Sequence, residues 1–348
     1  MTRIILPSDE VDRRLRQWME SSGSEASFEE FFDAALYHPE FGYYSNNIRT
    51  VGNRGDFSTS ASLDPSLARA IARWIVVTSR LEQPRVRDVI EIGAGDGSLA
   101  SSVLRFLPWL LRRSLNFHIV DRSLPLRDKQ KEILRGKGNV QWHESVEDAL
   151  ATCKGRAFLF SNELVDAFPP RVFQWVEDAK SWKEVYLSLD KEGNLLESLK
   201  TNEDAPSAES ASSFRDGQRI ERHDSYARWL DTWINGWNAG EMLTIDYGDD
   251  FPALYHRRPR GTIRGFFHHV RIEAGPEIYT RFGHHDLTTD INFTALTKHH
   301  LDRGLTGIAN ESQGDFIERF APEKKTPLPA ITEARNAFRC LRFKPPES

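Results

Sequence analysis

Cysteine is scarce in this chain of 348 residues, which has only Cys153 and Cys340. The two lie far apart and neither belongs to a C-x-x-C pair, so the sequence indicates neither a disulfide framework nor a cysteine zinc site. The core must come from the 39% of residues that are hydrophobic, enough for one elaborated domain or two intimate ones. Scarce cysteine favours a reducing cytoplasm, and we expect no metal.

Long apolar runs and an excess of positive charge are also missing. Even the apolar residues 109–111 are followed by Arg112 and Arg113, so no stretch approaches membrane-spanning length. The first twenty residues mix acids with arginines, unlike a secretory or transit peptide. A net charge of −5 argues against general nucleic-acid affinity. These absences predict a cytoplasmic protein with a specific pocket and with neither membrane nor nucleic acid as partner.

Helices are predicted to begin the fold. Ser27 is a candidate N-cap, with Glu30 three positions later as its capping-box partner. Residues 41–45 have the composition of a short strand, and helix resumes from Pro65 to about residue 80. We therefore expect residues 1–80 to form an N-terminal helical cap.

Strands then alternate with helices. Residues 86–92 are β-branched and end at Gly93, whereas residues 98–106 have helical spacing. Such alternation predicts an α/β fold with a mostly parallel, doubly wound sheet over residues 81–348. Within it we expect a mobile surface insertion at about 199–219 and a cap-like segment at about 249–300. Further strands are predicted at residues 117–120, 140–142, 157–160, 242–245 and 338–343.

A glycine loop follows the first predicted parallel strand. Glycine there lets the backbone turn sharply and approach a ligand closely. The acid that precedes the loop would repel the pyrophosphate of a dinucleotide but attract an amino group and a sulfonium, so S-adenosylmethionine (SAM) fits better than NAD. Asp121 ends the next strand, where it is placed either to accept hydrogen bonds from a ribose diol or to cap a helix. The loop residues are Glu91, Gly93, Gly95 and Gly97.

Six stretches match one family in the family's own order. They are ALYHP at residues 35–39 with GYY at 42–44, GDFSTS at 55–60, EIGAGDG at 91–97, SNELVDAFP at 161–169, IDYG at 245–248 and DLTTDINFT at 286–294. In these the chain resembles the MidA-like methyltransferases, a family that includes a mitochondrial protein-arginine methyltransferase of complex I assembly. The resemblance implies a Rossmann-like SAM-dependent methyltransferase sheet with an N-terminal helical cap and an inserted α+β segment.

The same resemblance implies a cofactor, an acceptor and partners. It implies SAM as cofactor and methyl transfer to a protein arginine, with a respiratory-complex subunit as one candidate substrate and a homodimer as a candidate assembly. Gly55, Asp56 and Ser60 would close over the cofactor. The chain departs from the family where Ala61 and Ser62 replace a Pro-Glu pair, and where Asp290 stands at a position that is often histidine.

Carboxylates would have to hold an arginine acceptor, because its guanidinium is protonated in water. Glu163 and Asp166 are the candidates, since a helical turn would bring residues three apart together. Asn162 would orient cofactor or substrate. The alternative is that Asn162 and Asp166 only brace the turn before Pro169.

Tyr247 and the histidines complete the candidate set. Tyr247 follows a strand and would cover cofactor or substrate, or else be an ordinary core tyrosine. Six of the eleven histidines fall at 268–269, 284–285 and 299–300, and solvated or singly hydrogen-bonded histidines are favoured over a metal site there. His285 is a candidate general base. Two further functions stay open, a small-molecule methyltransferase and a noncatalytic SAM-binding assembly factor.

Overall fold

The computed structural model describes residues 2–47, 65–82, 84–211, 214–267, 270–322 and 329–346. The helices are α1 (Arg13–Ser21), α2 (Phe28–Tyr37), α3 (Pro65–Thr78), α4 (Ser98–Phe106), α5 (Trp109–Ser114), α6 (Leu124–Ile133), α7 (Val146–Thr152), α8 (Asp224–Trp233), α9 (Phe293–Leu301), α10 (Gln313–Phe320) and α11 (Pro329–Ala337).

The strands are β1 (Thr2–Leu6), β2 (Glu25–Ser27), β3 (Asp88–Ile92), β4 (Asn116–Val120), β5 (Asn139–His143), β6 (Ala157–Asn162), β7 (Arg171–Val176), β8 (Ser181–Leu189), β9 (Leu195–Lys200), β10 (Arg219–Arg222), β11 (Met242–Asp249), β12 (Arg264–Phe267), β13 (Val270–Ile272), β14 (Asp286–Thr288), β15 (Ile291–Asn292), β16 (Thr306–Ser312) and β17 (Phe338–Lys344).

The chain divides into two compact units. The first comprises Met1–Ile48, Asp166–Ala227 and Asp249–Ala295, and the second Arg49–Val165, Arg228–Gly248 and Leu296–Ser348. Each unit takes segments from both sides of residue 80, where the sequence placed a boundary. The predicted mobile insertion, residues 199–219, contains the end of β9, a 3-10 turn at Ala208–Ala211 and the start of β10.

The second unit contains the predicted parallel sheet. Its strands lie in the order β16-β17-β11-β6-β3-β4-β5. The β11-β6-β3-β4-β5 pairs are parallel, whereas β17 runs antiparallel to β11 and to β16. Central parallel strands are covered on both faces, which explains why Val89, Ile90 and Ile92 are all apolar. The predicted Rossmann-like α/β fold is confirmed.

The core of this unit joins the sheet to its helices. Trp74 of α3 packs edge-on against Phe158 of β6, with ring centroids 5.7 Å apart. Leu99 and Val103 of α4 belong to the same buried cluster. Helix α4 therefore has an apolar face that holds its N-terminus, where the glycine loop enters, against the sheet.

The first unit is built on antiparallel strands. One sheet has the order β1-β9-β8-β7-β10, with β2 paired to β8, and a small second sheet has the order β13-β12-β14. Trp175 and Trp182 pack in its core, 5.5 Å apart between ring centroids. None of the helices in the described part of the chain is long and apolar enough to cross a membrane.

Two local expectations in the first unit have different outcomes. The capping box is confirmed, because Ser27 accepts from the Glu30 amide and the Glu30 carboxylate accepts from the Ser27 amide. The strand expected at residues 41–45 is wrong, since Tyr43–Asn47 is a π-helical turn. The Gly42 amide donates to the carbonyl of His38 at 2.8 Å, so the chain coils back after α2. Aromatic residues, which are common in strands, here fill a core.

Candidate cofactor site

The glycine loop joins the end of β3 to α4 through left-handed backbone. Gly93, Gly95 and Gly97 have φ angles of 70°, 54° and 87°. Side chains are also excluded by space, since a Cβ on Gly97 would lie 3.2 Å from Cα of Gln130 and one on Gly93 would lie 2.8 Å from the Leu164 side chain. The Gly93 amide donates to Val120 O at 2.9 Å, which fixes the loop beside the end of β4. Glycine is therefore required here by conformation and by packing.

Glu91 is a buried carboxylate with a free acceptor. Its side chain is 2% exposed, and its Oε2 atom has no hydrogen-bond partner in the described part of the chain. Burial raises its pKa well above the usual range, and the negative charges of Asp121 and Asp96 raise it further. Such a group favours a cationic ligand, because a positive charge would both satisfy the acceptor and stabilise the ionised form.

Asp121 makes the contacts of the capping role, one of the two roles that the sequence left open. Its Oδ1 accepts from the Ser123 amide at 2.9 Å, as a turn-capping residue would, and its Oδ2 accepts from Gln130 Nε2 at 2.8 Å. Burial raises the pKa of Asp121, while these two hydrogen bonds lower it. A carboxylate has about four lone-pair sites, so capping leaves capacity for a ligand.

Gln130 is a residue that the sequence reasoning missed. Its Nε2 donates to Gly95 O at 2.8 Å as well as to Asp121, and Trp142 Nε1 donates to its Oε1 at 3.2 Å. Gln130 thus ties the glycine loop to the end of β4. The available signal was its position four residues after the buried Leu126, which puts both on one face of α6.

Asn162 ends β6, which pairs with β11, and Glu163 follows it. Glu163 has a positive φ of 52°, unusual for a residue other than glycine. Its amide donates to Ile245 O at 2.9 Å, and Asn162 Nδ2 donates to Glu163 Oε1 at 3.1 Å. Asn162 Oδ1 is buried with no hydrogen-bond partner among the described residues. The turn is therefore not the regular helical one that was expected.

Tyr247 lies on β11 and is half-buried, with its ring edge-on to Phe338 at 5.4 Å. Its neighbour Asp246 is fully buried and braces the same region. Asp246 Oδ2 accepts from the Val165 amide at 3.0 Å, and its Oδ1 accepts from the Tyr247 amide at 2.9 Å. Asp246 thus braces the turn after β6, and the role of Tyr247 stays a prediction.

Asp166 belongs to the first unit, where it joins a network of hydroxyl groups. Its Oδ2 accepts from Thr288 Oγ1 at 2.9 Å, and its carbonyl accepts from the Thr289 amide at 3.1 Å. In the same unit Tyr44 donates to Asp286 Oδ1 at 2.8 Å. Burial raises the pKa of Tyr44 well above its usual range, and the nearby acids add to the shift. These contacts resemble the bracing alternative, and the acceptor role of Asp166 stays a prediction.

His285, also in the first unit, is buried beside the backbone of Gly265. Its Nδ1 lies 2.9 Å from Arg281 O, which assigns the proton to Nδ1 and leaves Nε2 as the acceptor. Burial lowers the pKa of His285 to about 4. A base with so low a pKa is weak near neutral pH, and its role in catalysis stays a prediction.

Asp290 forms ion pairs with Arg258 and Arg264. A histidine at this position would bring no negative charge to the two guanidinium groups, so the acid that departs from the family's pattern is matched to local arginines. The predicted closing residues Gly55, Asp56 and Ser60 lie outside the described residues, as do Ala61, Ser62 and the pair at 268–269.

These groups fit SAM on grounds that the structure supplies. Two buried acceptors, Glu91 Oε2 and Asn162 Oδ1, have no donor among the described residues, and a Cβ would be crowded at Gly93 and Gly97 of the loop. Acids gathered near the carboxyl ends of adjacent parallel strands favour a ligand that carries ammonium, sulfonium and hydroxyl groups. The same acids would repel a pyrophosphate.

Comparison with known proteins agrees with this chemistry. A profile of a family described as S-adenosyl-L-methionine-dependent methyltransferases matches residues 70–308. The chain is 25% identical to the mitochondrial protein arginine methyltransferase NDUFAF7 homologue of Caenorhabditis elegans, covering 85% of this chain and 73% of that protein. It is also 25% identical to mitochondrial NDUFAF7 of Danio rerio, covering 78% and 68%.

A solved structure gives the same answer for the fold. A Burkholderia thailandensis protein bound to S-adenosyl-homocysteine superposes with a TM-score of 0.81 and 26% identity, over 95% of this chain and 90% of that one. The cofactor expectation is confirmed by these relationships.

The expected cytoplasmic location is wrong by the same comparison. The relatives named above are mitochondrial proteins. Scarce cysteine indicates a reducing environment but does not distinguish one reducing compartment from another, so composition alone does not identify the compartment.

Proposed function

Because the chain belongs to the family of SAM-dependent methyltransferases, we propose that the acceptor is an arginine side chain of a protein. The named relatives are protein arginine methyltransferases. The carboxylates that follow β6 have the chemistry to hold a guanidinium.

The cofactor side of the proposal rests on the second unit. SAM supplies, when bound, a methyl group on a positively charged sulfur. Glu91 would pair with the cationic amino acid part, Asp121 with the ribose hydroxyls, and Asn162 with a donor on the cofactor or acceptor. Gly93, Gly95 and Gly97 would let the backbone approach. These residues bind and orient, and positioning of this kind needs no covalent enzyme intermediate.

The observation that carries the acceptor proposal is the backbone of Glu163. A glutamate held at a φ of 52° costs roughly 1–3 kcal/mol, which glycine would avoid. Glycine would form the same turn without strain, so the glutamate is present at a cost in stability. Such strain is typical of functional sites. Glu163 would hold and polarise the guanidinium, oriented by its hydrogen bond from Asn162.

Asp166 is the second proposed acceptor contact, and Tyr247 a proposed cover for the substrate. Asp166 also accepts from Thr288, so its replacement should lower stability as well as activity. Replacing Glu163 by glutamine should affect activity alone. This difference makes Glu163 the sharper test.

The test compares Glu163→Gln with Glu163→Gly. Each purified variant is given labelled SAM and a proteome extract, and acid hydrolysis identifies methylated arginine. Glu163→Gln should reduce transfer by roughly a hundredfold or more, with cofactor affinity unchanged. Glu163→Gly should melt at a higher temperature, because strain is relieved, and should be equally inactive.

Three results would contradict the proposal in different ways. A Glu163→Gly variant that transfers methyl groups at the parent rate would reduce Glu163 to a turn residue. Label confined to small metabolites would instead identify a small-molecule methyltransferase. Tight SAM binding with no transfer to either pool would indicate a noncatalytic assembly factor.

A further inference from the structure

A second cluster of reactive side chains lies at the other end of β3 from the glycine loop. Asp88 is the first residue of β3, His118 lies in β4, and Cys153 follows α7 directly. His118 Nε2 is 3.1 Å from Asp88 Oδ1 and 3.4 Å from Cys153 Sγ. One ligand atom from each residue lies within 4.8 Å of the others. Side chains alternate along a strand, so Asp88 and Glu91 project from opposite faces of the sheet.

The spacing of these atoms is close to that of a zinc coordination sphere. Zinc takes cysteine sulfur at about 2.3 Å and histidine nitrogen or carboxylate oxygen at about 2.0–2.2 Å, in a tetrahedron. Those bond lengths set nitrogen and oxygen ligands about 3.4 Å apart and nitrogen and sulfur about 3.5 Å apart. The distances in the cluster are within a few tenths of an ångström of both values.

The surroundings support the ligand arrangement. His118 Nδ1 is 2.9 Å from His143 Nε2, a contact that can hold the proton on Nδ1 and leave the Nε2 lone pair for a metal. Asn116 Nδ2 donates to Asp88 Oδ1 at 2.8 Å and orients the carboxylate. The His118 side chain is 1% exposed, whereas that of Asp88 is 19% exposed, which gives an ion a route from solvent.

We propose that Asp88, His118 and Cys153 bind one Zn²⁺ ion, with water as the fourth ligand. The donor set of sulfur, nitrogen and oxygen suits zinc and excludes magnesium and calcium, which take oxygen ligands. On binding, the Cys153 thiol loses its proton to solvent and its sulfur bonds the metal, while the other two groups donate existing lone pairs. The sequence offered no sign of this site, because its ligands lie 30 and 35 residues apart.

The ion would join two neighbouring strands and the segment after α7. It is independent of methyl transfer, since none of the three ligands belongs to the glycine loop or to the acceptor carboxylates. Its expected effect is on stability, because an ion that binds the folded chain and not the unfolded one raises the melting temperature.

The test uses the full chain after treatment with a chelator. Zinc is titrated against a chromogenic competitor, bound zinc is counted by elemental analysis, and cobalt is added separately to detect thiolate coordination by its charge-transfer absorption. The test variant is Cys153→Ser, which exchanges one atom. The matched control is Cys340→Ser, which alters the other buried cysteine in the same unit.

The parent and Cys340→Ser should bind one zinc per chain, show the cobalt–thiolate band and melt at a higher temperature with zinc. Cys153→Ser should lose the band and weaken zinc at least tenfold, and Asp88→Asn, which keeps the shape of the side chain, should weaken zinc without removing the band. No stoichiometric binding by the parent would overturn the proposal and leave a hydrogen-bond network. Equal affinity in Cys153→Ser or Asp88→Asn, each checked for folding, would overturn it as well.

Discussion

Replacing Glu91 by glutamine should weaken cofactor binding and raise the stability of the chain without ligand. The change keeps the size of the side chain and removes a buried charge whose Oε2 has no hydrogen-bond partner in the described residues. SAM should bind less tightly, because its cation loses its carboxylate. The chain without ligand should become more stable, because the cost of burying that carboxylate disappears.

The size of the binding effect follows from the contact that is lost. A hydrogen bond to a charged group contributes about 1.5–3 kcal/mol. The dissociation constant for SAM should therefore rise about 10- to 150-fold. S-adenosyl-homocysteine lacks the sulfonium charge but keeps the ammonium, so an equal loss for both ligands would assign Glu91 to the ammonium.

The pH dependence has a definite sign. The pKa of Glu91 in the folded chain lies well above its ordinary value of 4.5. The folded state therefore holds more protons than the unfolded state above that value, and stability falls as pH rises towards the raised pKa. The gain from Glu91→Gln should be absent near pH 4 and grow with pH. SAM should bind the parent more tightly at higher pH and release protons as it binds.

Calorimetric titration in two buffers of different ionisation enthalpy measures both affinity and proton release, and thermal melting at several pH values measures stability. The control is Glu241→Gln, a buried glutamate of the same unit that already accepts from Trp74 at 2.8 Å and pairs with Arg342. Its replacement should lower stability and leave cofactor affinity unchanged. Equal SAM affinity in Glu91→Gln and the parent would refute the assignment of Glu91.

Three further changes test other parts of the structure. Asp121→Ala should weaken SAM by about 1–3 kcal/mol in the same titration, and an unchanged affinity would leave Asp121 as a cap alone. Gly97→Ala should cost about 1–2 kcal/mol in urea unfolding because of its left-handed backbone, and should weaken SAM because the new Cβ displaces Gln130. Asp290→His should cost about 3–5 kcal/mol in urea unfolding, since it removes the carboxylate that pairs with Arg258 and Arg264; an unchanged stability would mean that the two pairs contribute nothing.

Periodicity and turn chemistry predicted the second unit well. The switch from β-branched residues to helical spacing around Gly93 located β3, the loop and α4, because each is specified by local sequence. The position of Asp121 beside Glu91 followed from the rule that parallel strands end at one edge of a sheet. These are features in which local and overall preferences agree.

Contacts made by distant residues escaped the same reasoning. Gln130 belongs to no recognisable motif, and its role depends on how α6 packs against the glycine loop. The tyrosines after Gly42 have a composition that suits a strand. The Gly42 amide instead donates a hydrogen bond to the His38 carbonyl, and the chain forms a helical turn. Asp166 was assigned by its spacing from Glu163, and its hydroxyl partner comes from a residue 122 positions away.

Two buried glutamates of the second unit show how function departs from stability. Glu241 is matched by an indole donor and a guanidinium, as a buried acid ordinarily must be. Glu91 is equally buried, yet acids lie nearby and its Oε2 atom meets no donor in the described residues. A chain shaped by stability alone would have an uncharged residue there, as it would have glycine in place of Glu163. Both departures would become favourable with a cation bound, and the proposed transfer from SAM to an arginine would provide one cation for each carboxylate.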